Sequence, residues 1–222
     1  MPGSSTVAAA RPRPRPLELI ARLLIAAALV FSLSQVFERA LVTSLAPVLS
    51  HVIEALDGDF TILAADVNRG PGETLRFRAN LTHPLEMRGR IFYPFGWGSK
   101  PAGRFQVTVT AGSVLQYCAL MLILVVAWPA ARAREYGLRA AIGAPLFAVL
   151  LLMPVPITVL AELWNLIRAE LDPGRLQPLM IWSRFLMGGG GLALGLLFGG
   201  VTIAVAAGGH ENHGGFTAQE CR

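Results

Sequence analysis

The residues of this chain best suited to chemistry are Cys118, Arg184 and the imidazoles His51 and His83. A thiol becomes a nucleophile only when a neighbouring base or cation favours its thiolate. A membrane thiol enzyme would therefore need these groups to converge, and nothing in the local sequence joins them. Gln116-Tyr117-Cys118-Ala119-Leu120 reads as an apolar run holding a small buried hydrophobe, and Arg184 reads as an interface anchor. Glu162 is a second candidate, because an acid within an apolar segment can carry a proton or an ion. Beside Trp164 and Asn165, at the end of its segment, it can equally reach interfacial water. His210 and His213 lie three apart in a glycine-flanked tail, and a metal centre needs more ligands than two. The chain carries no zinc-spaced cysteines, phosphate-cradling glycine loop, HExxH or GxSxG. The expectation is no catalytic residue, no cofactor and no metal.

The elements that position these residues are mostly apolar. Hydrophobic residues make up 54% of the chain and charged residues only 15%, against the ~25% usual in soluble domains. Four stretches, 17–37, 113–131, 140–164 and 181–207, each have the length needed to cross a hydrocarbon layer about 30 Å thick. The expected fold is an α-helical integral membrane protein: four transmembrane helices, with a small α+β extracytoplasmic module between helices 1 and 2. Pro154 and Pro156 should kink the third span.

Charge sets the orientation. The leader 1–16 is Pro-rich, basic and expected to be disordered. The link 132–139 holds Arg132, Arg134 and Arg139 against the single acid Glu135. The positive-inside rule makes both cytoplasmic. The insertion 38–112 and the loop 165–180 then face outward, and the tail 208–222 returns inside. The composition suits a bacterial inner membrane, with both termini cytoplasmic. Ser32-Leu33-Ser34 also has the small-x-small pattern of a signal-peptide cleavage site, which would remove the first helix. The net charge of +5 clusters beside the spans, which points to anionic lipid and away from nucleic acid.

The insertion begins as a continuation of the first helix. Leu41, Leu45, Val48, Val52 and Leu56 recur at helical spacing with Val42, Leu49 and Ile53 beside them, and Pro47 should kink the helix. Thr74–Thr82 alternates strictly between apolar and polar residues and reads as a half-buried strand. Phe60–Val67, Arg104–Thr110 and Met87–Tyr93 read as further strands. The aromatics Phe92, Tyr93, Phe95 and Trp97 form either an interfacial belt or a contact surface for a partner or lipid. In the last span Gly191, Gly195 and Gly199 repeat every four residues, a face that lets a neighbouring backbone come close. That neighbour could be another span, a second copy or another protein.

This order of parts resembles the exosortase-associated membrane proteins, in particular the exosortase H-associated type. Ala127-Trp128-Pro129, the basic link Arg132–Arg139 and the run Ala141–Leu152 look like the join between spans two and three in that family. The resemblance implies a helper of an envelope sorting system. It does not imply the sorting enzyme, whose cysteine lies in a small-residue motif unlike that around Cys118. The expected function is a non-enzymatic accessory or scaffold protein that positions an outward module for a membrane-protein partner or a second copy of itself. A transporter or channel subunit using Glu162 is the alternative.

Overall fold

The computed structural model describes residues 16–68, 74–87, 89–94, 104–130, 133–171 and 178–208. Helix α1 runs unbroken from Pro16 to Leu56, about 60 Å at 1.5 Å per residue and twice the thickness of a bilayer core. Pro47 lies inside it without ending it. The first half is almost bare: Leu24, Ile25, Leu29 and Phe31 are all exposed. The second half buries Val42, Ala46, Leu49 and Ile53, a stripe at helical spacing. Val42, Leu49 and Ile53 belong to the expected apolar face, whereas Val48 and Leu56 of that face are exposed. Burial follows the sheet that covers the helix.

The sheet has three antiparallel strands in the order β1 (Phe60–Asn68), β2 (Thr74–Leu81), β5 (Arg104–Thr110). Its register pairs Phe77 with Ala65 and with Val107. The alternation in β2 is realised directly: Leu75, Phe77, Ala79 and Leu81 are buried. The expected strand Met87–Tyr93 is instead a small hairpin, β3 (Leu85–Met87) and β4 (Arg90–Phe92). Gly89 turns it at φ 75°, a conformation that suits glycine.

Helix α2 (Ala111–Ala127) follows β5 without a loop. Helix α3 (Ala133–Leu152) and helix α4 (Pro154–Leu171) differ from the expected third span. From Ala133 onward the basic link is already helical, and the apolar run breaks at Met153. Twenty residues of α3, about 30 Å, match a bilayer. In α4, Val155, Val159, Leu163 and Ile167 enter the core beneath the sheet. Hydropathy alone does not distinguish lipid from a protein core, so the run 140–164 read as one span. The last span is likewise compound: α5 (Pro178–Phe185), a π turn over Leu186–Gly190 with Gly189 at φ 108°, and α6 (Gly191–Gly208).

Among the described residues, three helical stretches are long and apolar enough to cross a membrane: Pro16–Leu56, Ala133–Arg168 and Pro178–Gly208. Leu115–Ala127 is a shorter apolar helix. The chain is a membrane protein with a small sheet packed on the extended ends of α1 and α4.

Candidate functional site

The core of the sheet is fixed by aromatics. Phe60 stands edge-on to Trp164 and Phe105, with centroids 5.4 and 6.4 Å apart. The Trp164 indole donates to Asp57 at 2.7 Å, tying α4 to the end of α1. These contacts set α1 alongside β1, an edge strand that no described strand pairs on its outer side.

A groove of about 550 Å³ runs between them. Arg39, Thr43, Pro47 and Ser50 form its helical wall, and Ile62 to Val67 form the other. Polar side chains (Arg39, Thr43, Ser50 and Asp66) and backbone both line it. A proline supplies no N–H, so the Thr43 carbonyl lacks the donor that residue 47 would otherwise give it. The register of β1 slips between Ile62 and Ala64. Such a bulge bends an edge and protects it from uncontrolled pairing. At the outer end the Glu54 carboxylate accepts the Ile62 N–H at 2.8 Å, so that position is already taken. Arg39 has no ion-pair partner among the described residues. Asp66 pairs with Arg78 at 2.6 Å, both half-exposed, and such a pair contributes little to stability.

The residues singled out for chemistry do not converge. Cys118 is buried in α2 among apolar neighbours. Arg184 is exposed on α5, and Glu162 is exposed on α4. His51 is 85% exposed and lies 4.0 Å from Glu54, while His83 faces Asp59 at 3.2 Å. No described hydrogen bond or ion pair joins Cys118 to Arg184, His51 or His83. No group of three potential metal ligands occurs among the described residues. His210, His213, Phe95 and Trp97 lie outside those residues. Phe92 ends β4 and Tyr93 is half-buried just after it.

The three glycines all face α2. A Cβ on Gly191 would lie 2.4 Å from the Tyr117 ring. One on Gly195 would lie 2.7 Å from the Tyr117 carbonyl oxygen, and one on Gly199 2.9 Å from a Leu124 methyl. The Tyr117 hydroxyl donates to the Leu186 carbonyl at 3.1 Å, at the start of the π turn. At the other end of α2, Arg139 is 3% exposed and donates to the carbonyls of Trp128 (2.6 Å) and Pro129 (3.1 Å). It thus caps the C-terminus of α2, where the helix dipole favours a cation. Arg139 was expected among the charges that face lipid; its place is inside the turn. Spacing could not have located the groove, because its two walls, α1 and β1, meet only in the fold.

No family model, curated protein or solved structure matches this chain.

Proposed function

We propose that this protein is a non-enzymatic accessory of a bacterial inner membrane that holds an extended segment of a partner protein in the α1–β1 groove. One observation carries the reading: an unpaired sheet edge lies beside a helix whose Thr43 carbonyl has lost its donor. An incoming strand would satisfy both sets of groups, and side chains along the groove would choose the partner. In this reading the chain crosses the bilayer four times, by the first half of α1, by α2, by α3 and by α5–α6, with the sheet outside and both termini inside. The family resemblance makes envelope protein sorting the setting. The scatter of Cys118, Arg184 and the imidazoles supports an accessory role over a thiol enzyme. The exposure of Glu162 gives a transport role no special support.

The test is co-purification of the intact protein in mild detergent. Wild type should carry a stoichiometric membrane partner, and a photo-crosslinker at Leu63 should capture the same protein. Thr43→Trp fills the groove from an exposed position and should lower recovery about tenfold, equivalent to about 1.4 kcal/mol. A lone monomer with its own turnover would overturn the reading, as would undiminished recovery by Thr43→Trp.

A further inference from the structure

A second hollow lies at the level of the spans, between α1 and α2, and it differs from the first in kind. It holds about 180 Å³ and its walls are almost wholly apolar: Val30, Leu33, Phe37 and Leu41 on one side, Leu115 and Leu122 on the other. Two α1 groups interrupt them. Ser34 is satisfied within its own helix, donating to the Phe31 carbonyl at 2.9 Å. Glu38 is half-buried and has no ion-pair or hydrogen-bond partner among the described residues. It is the one charged group in the lining.

Depth and charge select the occupant. From Pro16 to Glu38 the helix rises about 33 Å, so the carboxylate stands at the far headgroup level when the helix starts at the near one. Leu33, Phe37 and Leu122 of its lining are exposed, leaving it open sideways to the bilayer. An apolar cleft that opens to the bilayer takes a hydrocarbon chain, and the carboxylate above it favours a cation that can donate hydrogen bonds.

We propose that this cleft binds one phospholipid with a primary-amine headgroup, its acyl chain between α1 and α2 and its ammonium on Glu38. The site depends on the membrane embedding of α1 and not on the partner reading of the sheet edge.

The delipidated full-length protein, offered an equimolar mixture of phosphatidylethanolamine and phosphatidylglycerol with identical acyl chains, is read by native mass spectrometry. Wild type should retain the amine lipid about fivefold over the anionic one, the scale of a single solvent-bordered ion pair. Glu38→Gln should bring the ratio near one while chain binding persists. Leu122→Trp fills the cleft from a partly exposed position and should remove both lipids. Ser34→Phe serves the same end should the tryptophan variant change its elution volume. No preference in wild type, a preference surviving Glu38→Gln, or lipid retained by the filled cleft would each overturn the proposal.

Discussion

Helix α2 has two flanks, and they are built differently. Towards α6 the two backbones come so close that a single methyl at Gly195 would strike the Tyr117 carbonyl. Towards α1 the contact rests on Ala26 and Val30 against Ala119, Ile123 and Ala127, and a cleft opens beside it. Both flanks use small residues, so size alone does not decide. Water does not drive helices together in lipid, and the closeness of packing has to supply the association energy. Glycines on one face let α6 settle along α2, whereas the alanine contact to α1 ends where Leu33, Phe37 and Leu41 begin. One flank is a structural joint. The other has room for a ligand.

The largest effect should come from the C-terminal end of α2. Arg139 satisfies carbonyls at the end of α2, lies 3.7 Å from Glu135 and is buried with it. Arg139→Ala takes the donor from those carbonyls and the cation from beside the buried Glu135. Breaking such a buried pair costs about 3–5 kcal/mol. Reversible unfolding in mixed micelles should show that loss. A loss below about 1 kcal/mol would mean that α2 is held from elsewhere.

Next come the glycines, whose order separates the two flanks further. Gly195→Ala meets backbone, which cannot move aside, and should cost about 1–3 kcal/mol or more. Gly199→Ala meets the end of a leucine side chain and should cost clearly less. Equal costs at the two positions would show that α6 does not sit on α2 through this face.

Much of this architecture could be read from residue types. The alternation of Thr74–Thr82 placed four apolar side chains on one face of a strand, because a pleat has a period of two. The helical continuation of α1 followed from its apolar repeat. Pro154 and Pro156 marked the break that falls at Met153; the course of α4 beyond it was hidden, since Val155, Val159 and Leu163 are as apolar in a protein core as they would be in lipid. Met87–Tyr93 alternates too weakly to reveal that Gly89 folds it back. The glycine face was legible as a face and not as a contact: its partner, Tyr117, lies in another helix with no sequence mark of its own. Neither hollow was legible, because a cleft is a property of two elements and not of either one.

The smallest effect is the most informative about α6. Gly200 follows Gly199, yet a Cβ there would meet nothing within 4 Å. Alanine favours a helix over glycine by up to about 1 kcal/mol, so Gly200→Ala should leave stability unchanged or raise it slightly. That outcome would limit the close packing to the Gly191–Gly195–Gly199 face. If Gly200→Ala instead destabilised the protein as Gly195→Ala does, something beyond this chain would have to cover Gly200 in the bilayer. The neighbouring exposed side chains Leu196, Leu197 and Val201 would then belong to a second contact. A loss that grew on dilution into detergent would identify that contact as another copy of the chain, because only association depends on concentration.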